Sequence, residues 1–184
     1  MADGDHAALS RLIARHGRAI TVFAGRTLND PAQGEDVAQE VFLRAWEQAG
    51  RFDPARGSPA AWLFRIAANL CRDRMRRARI RRFFGGPLPE AMQDHLADDA
   101  PLTEDRVAGR ERLARVRAAI GHLPDRQRMA ILLTAVGGLD APAVALALGT
   151  SRGSVEQLLV RARRHLRAVA GEDMDGGNGN EGVT

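Results

Sequence analysis

The sequence predicts an all-α fold made of two small helical domains joined by a flexible acidic linker, the second domain carrying a helix-turn-helix. Apolar residues recur at spacings of three and four along most of the chain, and the alternation of β-branched residues that is typical of strands is absent. Between two helical halves lies a stretch rich in Gly, Pro and acidic residues. The predicted units are a first domain 1–82, a linker 83–105, a second domain 106–170 and a disordered, Gly-rich tail 171–184.

Local breaks define three helices in the first half. Asn29, Pro31 and Gly34 are turn residues that end the first helix. Ser58 is suited to an N-cap and Pro59 to the first helical position, so a third helix begins there, after a loop containing Gly and Pro. The predicted helices are 7–28, 34–48 and 58–82.

The second half divides into four helices by the same reasoning. Thr103 can cap a helix that Gly121 and Pro124 end. The run "GGLD" separates the next two helices, and Gly149 can adopt the positive φ that a sharp turn between two helices requires. The predicted helices are 103–120, 125–136, 141–148 and 152–168.

Composition limits the class of protein. The 184 residues include 45% hydrophobic residues, enough for a core, and one cysteine, Cys71, which excludes an internal disulfide framework. The first residues lack the apolar segment of a secretory signal, and no apolar run approaches the roughly 18 residues of a membrane helix. We therefore expect a soluble, cytoplasmic protein that does not insert into membranes.

Charge is unevenly distributed along the chain. Every basic residue is arginine, and the net charge is only +4. Eight arginines against one aspartate make 65–82 strongly basic, five arginines against one glutamate make 152–168 basic, and 83–105 carries six acids and no arginine. Basic blocks of this kind are typical of nucleic-acid binding, although ordinary solvated faces give the same pattern.

The stretch "GEDVAQEVFLRAW" has an unusual polar face. On a helical wheel its apolar side consists of Val37, Val41, Phe42, Ala45 and Ala49, and its other side of Asp36, Gln39, Glu40, Leu43 and Glu47. A surface helix buries one stripe and exposes the other, so Leu43 is out of place. A single exposed leucine needs no explanation. The alternative is a docking face for a basic partner, with Leu43 as its apolar centre.

The third predicted helix carries two stripes. Leu63, Ile66, Ala67 and Leu70 form a core stripe, and Trp62, Arg65, Asn69, Arg72 and Arg76 form a second one. An aromatic ring, an amide and three guanidinium groups on one face suit single-stranded nucleic acid, because bases stack on the ring and arginines neutralise phosphates. Alternatively, Trp62 is a core residue and the arginines are solvated. Cys71 is interpreted as a small core residue and not as a nucleophile.

The last predicted helix has an inward stripe and a basic outer side. Val155, Leu159, Ala162 and Leu166 form the inward stripe, and Ala145 is small where the preceding helix would cross it. The outer side can enter a DNA major groove through Arg152, Ser154, Glu156, Gln157, Val160, Arg161 and Arg164, with Arg163 beside them. Any antiparallel helix pair with a basic surface would show the same pattern.

Nothing in the sequence indicates catalysis. The five histidines and Cys71 are scattered without metal-ligand spacing. No paired-carboxylate, P-loop or Gly-rich phosphate motif is present. We therefore expect neither enzyme activity nor a metal or other cofactor.

The motifs "EDVAQEVFLRAW", "PAAWLFRIAANLCRDRMRR" and "LPDRQRMAILL…GTSRGSVEQLLVRARRHLR" occur in this order. Together they resemble a bacterial RNA polymerase sigma factor of the short extracytoplasmic-function group, over about 7–168. Two other interpretations stay open at this point. One is a sigma mimic that binds an anti-sigma factor without binding promoters. The other is an ordinary helix-turn-helix regulator whose first three helices form a sensor domain.

The resemblance implies partners and site residues. Core RNA polymerase would be bound through its β′ coiled coil and β flap, and the β′ coiled coil would contact Asp36, Gln39, Glu40, Phe42, Leu43 and Trp46. The minus-ten promoter strand would contact Trp62, Arg65, Asn69, Arg72 and Arg76, with the loop 52–58 holding a flipped base. The helix-turn-helix would read the minus-thirty-five duplex, the acidic linker would lead toward the RNA channel, and an anti-sigma factor would control the protein.

One segment departs from the family pattern. The reading helix of the family usually begins Gly-Thr-Val-Lys-Ser-Arg-Leu, whereas this chain has "GSVEQLL" at 153–159. Glu156 and Leu158 replace a lysine and an arginine, which should weaken phosphate binding and its dependence on salt. A glutamate near the bases can accept a hydrogen bond from cytosine N4. We therefore expect a minus-thirty-five sequence different from the usual one of the family.

Overall fold

The computed structural model describes residues 6–84 and 104–175, and within these ranges it contains helices and no strand. The α-helices are α1 His6–Leu28, α2 Pro31–Glu47, α3 Pro59–Phe83, α4 Glu104–His122, α5 Asp125–Ala135, α6 Ala141–Leu148 and α7 Arg152–Asp175, with short 3-10 turns at Ala49–Arg51 and Pro54–Arg56. The all-α prediction is confirmed. Most of the predicted linker, at 85–103, and the end of the predicted tail, at 176–184, lie outside the described residues. Of the described helices, none has the length and apolar content that crossing a membrane requires.

The start of α2 corrects the sequence-based boundary. The helix begins at Pro31, and its N-cap is Asp30, whose Oδ1 accepts a hydrogen bond from the backbone N–H of Gln33 at 3.1 Å. Proline is tolerated here because the first helical N–H has no partner within the helix. Burial alone would raise the pKa of Asp30, but hydrogen bonds from Gln33 and Ala32 outweigh it and hold that pKa below its usual value.

The sequence suggested that Gly34 is a turn residue, but in the structure it lies inside α2 and packs against α1. A Cβ atom there would lie 2.7 Å from the backbone N of Gly25 and 2.8 Å from the carbonyl O of Thr21. Only a glycine lets the α2 backbone approach α1 this closely. The close crossing fixes the angle at which α2 leaves the turn, and with it the orientation of its exposed face.

The end of α7 is also different from the prediction. The helix continues to Asp175, so the predicted disordered tail is wrong for its first five positions, 171–175. The Gly at position 171 favoured a helix end, but one glycine costs a helix only about 1 kcal/mol relative to alanine. The neighbouring Ala and Met residues are good helix formers and offset that cost.

The two halves of the chain pack against each other around a shared set of buried side chains. Helix α3 contacts α6, and α1 contacts α5. Phe64 of α3 packs edge-on against Phe23 of α1, with ring centroids 5.6 Å apart. On its other side the Phe64 ring closely approaches Gly137, where a Cβ would lie 3.3 Å from two ring carbons. Helix α3 therefore forms the centre of the molecule, with helices from both halves around it.

Cys71 lies in this core and is fully buried. Burial raises the pKa of its thiol to about 12, against the opposing effect of Arg74 and Arg128. A thiol held in the protonated form is a poor nucleophile. The interpretation of Cys71 as a small core residue is confirmed.

Candidate polymerase- and nucleic-acid-binding surfaces

The exposed face of α2 has the composition that its sequence pattern predicted. Val37, Val41 and Ala45 are completely buried, whereas 58% of Leu43 is exposed. Asp36, Gln39 and Glu47 are exposed, and Glu40 is half-buried. Leu43 is thus an apolar residue on an otherwise polar surface, and most of its side chain is not used in the packing of the fold.

Two residues at the edge of that face differ from the expectation. Phe42 is only 8% exposed and packs in the core, so its ring offers little surface to a partner. Position 42 belongs to the buried stripe of α2, so a contact of Phe42 with polymerase stays a prediction that depends on this small exposed part of the ring. Trp46 is half-buried and stacks on His6 of α1, with ring centroids 4.7 Å apart. One face of the indole is therefore already covered.

The acidic residues of α2 are partly neutralised inside the molecule. Glu40 binds Arg44 at 2.6 Å and, through its other oxygen, Arg74 of α3 at 3.3 Å. Arg74 also lies 3.8 Å from Asp36 and donates a hydrogen bond to the carbonyl O of Gln33 at 3.2 Å. This role of Arg74 could not be predicted from the sequence, because Arg74 stands in a run of similar arginines. Arg74 connects α3 to α2, and the exposed face of α2 carries mixed charge and not a continuous acidic rim.

The exposed stripe of α3 matches its prediction more closely. Arg65, Asn69, Arg72 and Arg76 are all exposed, and the opposite stripe of Leu63, Ile66, Ala67 and Leu70 is buried. Trp62 is half-buried and packs against Phe52 at a centroid distance of 5.3 Å. The Ser58 hydroxyl caps the helix by accepting from the backbone N–H of Ala61 at 3.2 Å. Trp62 therefore both packs and presents part of its ring at the start of a basic stripe.

The loop preceding α3 is also held by local bonds. The carboxylate of Asp53 accepts a hydrogen bond from the backbone N–H of Ala55 at 3.0 Å. Gly57 has a φ of 142°, which favours glycine. With Phe52 packed on Trp62, these bonds place the loop directly beside the aromatic end of the α3 stripe.

The other end of the α3 stripe contacts the second half of the chain. Arg72 donates from Nη1 to the carbonyl O of Leu148, at the end of α6, at 3.1 Å, and from Nη2 to Oδ1 of Asn69. Arg79 forms an ion pair with Asp125 at 3.2 Å. A basic cleft of about 290 Å³ lies between these elements, lined by Arg72, Met75, Arg76, Arg79, Asp125, Arg126, Met129 and Leu148.

Arg128 is a buried cation behind this cleft that sequence reasoning missed. Its Nη1 donates to the carbonyl O of Gly121 at 2.7 Å, and its Nη2 pairs with Asp125 at 2.8 Å. Burial lowers the pKa of Arg128, while Asp125 and Cys71 oppose that shift. A buried charge of this kind is stable only when it is paired and hydrogen-bonded. Arg128 therefore acts structurally, joining the start of α5 to the end of α4.

Helices α6 and α7 form the predicted helix-turn-helix. Asp140 caps α6 by accepting from the backbone N–H of Ala143 at 2.9 Å. Gly149 ends it in the left-handed conformation, with φ 62° and ψ 49°. The backbone N–H of Thr150 then bonds back to the carbonyl O of Ala145 at 3.0 Å. These bonds set the sharp turn and orient α7, whose Val155 and Ala162 are completely buried.

The outer side of α7 is exposed from Arg152 to Arg164. Arg152, Ser154, Glu156, Gln157, Val160, Arg161 and Arg164 are all exposed, whereas Leu158 is half-buried against the core. Two of these side chains form a pair: Nε of Arg152 donates to Oε1 of Glu156 at 2.9 Å. The Ser154 hydroxyl lies 2.9 Å from that of Ser151, which also accepts from the Ser154 backbone N–H. The first turn of α7 is thus ordered by its own side chains.

In the described part of the chain, no three His, Cys, Asp or Glu side chains are grouped so that they could hold a metal ion. The candidate surfaces instead present arginines, carboxylates, amides, parts of two indole rings and Leu43. Such a set binds by stacking, by hydrogen bonds and by charge.

Two family models match the chain in the same order as these surfaces. Sigma-70 region 2 matches 12–81, which includes α2 and the exposed stripe of α3. Sigma-70, region 4 matches 113–166, which includes α6 and the exposed part of α7. The exposed surfaces of α2 and α3 therefore lie within the region 2 match, and the exposed surface of α7 lies within the region 4 match.

Known proteins resemble the chain over nearly its whole length. RNA polymerase sigma factor CnrH of Cupriavidus metallidurans is 39% identical, covering 95% of this chain and 92% of its own. The ECF RNA polymerase sigma factor SigM of Mycobacterium tuberculosis is 34% identical over 91% of this chain and 80% of its own. A solved structure of the sigma factor RpoE with the anti-sigma factor NepR from Bartonella quintana has a TM-score of 0.72, at 25% identity over 88% of this chain and 95% of that one. The chain therefore belongs to the extracytoplasmic-function group of RNA polymerase sigma factors, which bind core polymerase, recognise promoters and initiate transcription.

Proposed function

We propose that the exposed face of α2 is the surface that docks on the coiled coil of the polymerase β′ subunit. Leu43 is its apolar centre, and the exposed fraction of that side chain is the observation that supports the proposal most directly. Asp36, Gln39 and Glu40 surround it, and Trp46 lies at its edge with one ring face stacked on His6. A buried leucine supplies contact area, while the charged rim sets orientation and approach.

Arg74 and Arg44 modify this docking surface. Both arginines bind Glu40, so an arginine from the partner would have to compete for that carboxylate or use Asp36, which is largely exposed. Charge pairs at the rim chiefly change the association rate and its salt dependence. In this proposal Leu43 contributes more to the equilibrium affinity than either acid. The β flap is a second polymerase contact, proposed for the helices α4–α7 on family membership alone.

The exposed stripe of α3 is proposed to hold the non-template strand of the minus-ten element. Trp62 would stack a base beside the ordered loop that ends at Ser58, and Arg65, Arg72 and Arg76 would neutralise successive phosphates. Asn69 offers an amide whose Nδ2 group can donate to a base edge while its Oδ1 accepts from Arg72. A continuous exposed stripe with an aromatic residue at one end supports this assignment.

Promoter opening by holoenzyme tests this assignment. In Arg65→Ala holoenzyme we expect permanganate reactivity of minus-ten thymines to fall about tenfold, since a phosphate contact and an exposed cation are lost. Arg81→Ala is the matched control, because Arg81 is exposed on the same helix but about 160° around it from Arg65. If both variants open the promoter equally well, the stripe is not the strand-binding surface.

The outer side of α7 is proposed to read the minus-thirty-five duplex from the major groove. Its N-terminal residues would face the bases, and Arg161 and Arg164 would bind phosphates. In the present structure Arg72 and Arg79 connect α3 to α6 and α5. We propose that these contacts break when the protein spans both promoter elements, because the two surfaces must then lie on separate stretches of DNA.

An anti-sigma factor is proposed as the regulator of this protein. The sigma factor RpoE, which the chain resembles in fold, was solved bound to the anti-sigma factor NepR. Such a partner would act by covering the α2 face or the α3 stripe. The proposal is supported if such a partner prevents the chain from binding core polymerase. It is wrong if the partner, the chain and core polymerase form a complex together.

A further inference from the structure

The first turn of α7 contains an ion pair that changes the expected role of Glu156. From the sequence alone, Glu156 was a residue that could accept a hydrogen bond from cytosine N4. In the structure, its Oε1 already accepts from Nε of Arg152 at 2.9 Å. Both side chains remain exposed, Arg152 by 71% and Glu156 by 53%, so the pair stands on the outer side of the helix and contributes little to the fold.

The geometry of the pair leaves the base-reading end of Arg152 available. The bond uses Nε, on the side of the guanidinium group, and both Nη groups stay at the tip. Two Nη donors in one plane match the O6 and N7 acceptors that guanine presents in the major groove, the commonest specific contact between protein and DNA. A carboxylate bound at Nε also fixes the plane of the guanidinium group, which lowers the entropy cost of that contact.

The pair sits where a base-reading arginine is needed. Ser151 caps α7 by accepting from the backbone N–H of Ser154 at 3.2 Å, so Arg152 lies at the first position of the helix. Buried Val155 fixes the rotation of this turn and directs the side chains of positions 152 and 156 away from the core. Arg152 also balances the charge of Glu156, which reduces the repulsion between this carboxylate and the DNA phosphates.

We propose that Arg152 recognises a guanine of the minus-thirty-five element and that Glu156 is its positioning residue. This inference rests on the proposed function of α7 as the reading helix. Glu156 then selects guanine indirectly, through Arg152, and does not select a cytosine on its own. A family-typical lysine at position 156 would repel Arg152, so the departure from the family pattern forms part of the specificity of this chain.

Binding of holoenzyme to promoters with a fixed minus-ten element and a randomised minus-thirty-five element tests the proposal. The variants are Arg152→Ala, Glu156→Ala, the double variant and Glu156→Gln, whose side-chain oxygen can still accept from Nε. We expect Arg152→Ala to lower the preference for guanine at one base pair about tenfold or more. Glu156→Ala should lower the preference at the same base pair, the double variant should add little, and Glu156→Gln should retain part of it.

Arg164→Ala separates failure of this inference from failure of the proposed function. A phosphate-binding arginine should weaken binding to all sequences about equally and reduce its salt dependence. Suppose that Arg164→Ala weakens binding to all sequences. The inference about Arg152 and Glu156 is then wrong, and the reading role of α7 stands, if Arg152→Ala and Glu156→Ala alter the preference at different base pairs or if neither of these two variants alters any preference. If no variant, including Arg164→Ala, alters promoter binding, α7 is not the reading helix and both proposals are wrong.

Discussion

Truncation of Leu43 to alanine should weaken binding of the protein to core polymerase without weakening its fold. Complete burial of a leucine side chain is worth about 1.5–3 kcal/mol. Since 58% of Leu43 is exposed in the free protein, docking can bury at most that share, about 0.9–1.7 kcal/mol. A loss of this size raises the Kd about 4- to 20-fold, and the Cβ that alanine keeps places the result toward the lower end.

Titration of labelled protein with core polymerase, followed by fluorescence anisotropy, measures this change. Ile80→Ala is the matched control, because Ile80 is similarly exposed, at 51%, but lies near the end of α3 and outside the α2 face. Thermal denaturation should show nearly unchanged stability for both variants, since neither Leu43 nor Ile80 is in the core.

Two outcomes would refute the reasoning about Leu43. An unchanged Kd for Leu43→Ala would mean that the exposed part of the side chain stays exposed in the complex. An equal loss in Ile80→Ala would mean that affinity follows general surface hydrophobicity and not a defined α2 face. A loss much greater than 20-fold would indicate that Leu43 also orders neighbouring groups on docking.

Three further predictions concern the framework that positions these surfaces. Gly34→Ala should lower the free energy of unfolding, measured by urea denaturation, by at least about 2 kcal/mol, because the added Cβ would lie 2.7 Å from the α1 backbone. Gly50→Ala is the control: no atom lies within 4 Å of a Cβ there, so the free energy of unfolding should change by less than about 0.5 kcal/mol. Cys71, with a pKa of about 12, should not react with a thiol reagent at pH 8 until urea unfolds the chain; rapid labelling of the folded protein would contradict its burial. Asp30→Ala should cost about 1 kcal/mol at pH 7 through loss of the N-cap. The folded-state pKa of Asp30 is lowered, so the contribution of its carboxylate to stability is complete above the unfolded-state pKa and is lost as pH falls through the folded-state pKa. The stability lost in Asp30→Ala should therefore shrink in acid, and a loss that grows in acid would contradict this.

The sequence alone predicted those local structures that depend on one residue type at one position. Ser58 with Pro59 marked the start of α3, and Gly149 marked the turn of the helix-turn-helix. The stripes of α2 and α3 followed from helical periodicity, because a helix that packs on one side must bury every third or fourth residue. These features predicted the orientation of Leu43 and Trp62 before any tertiary contact was considered.

The remaining features depend on contacts between residues far apart in the chain. Gly34 reads as a turn residue locally, and only the approach of α1 shows why position 34 must lack a side chain. Arg74 and Arg128 are two of many arginines, and their ion pairs exist because particular helices meet. The pairing of Arg152 with Glu156 was accessible from the i, i+4 spacing, which is a known signal on helices.

Run-off transcription from a pool of random upstream DNA tests the central claim most directly. Core polymerase is supplied alone, with the wild-type protein, or with Leu43→Arg, which places a cation at the centre of the face proposed to meet a basic partner. We expect new discrete transcripts with the wild-type protein and few or none with Leu43→Arg at equal concentration. An absence of new transcripts together with no binding to core polymerase would contradict the account, and equal transcription by Leu43→Arg would contradict the α2 docking face.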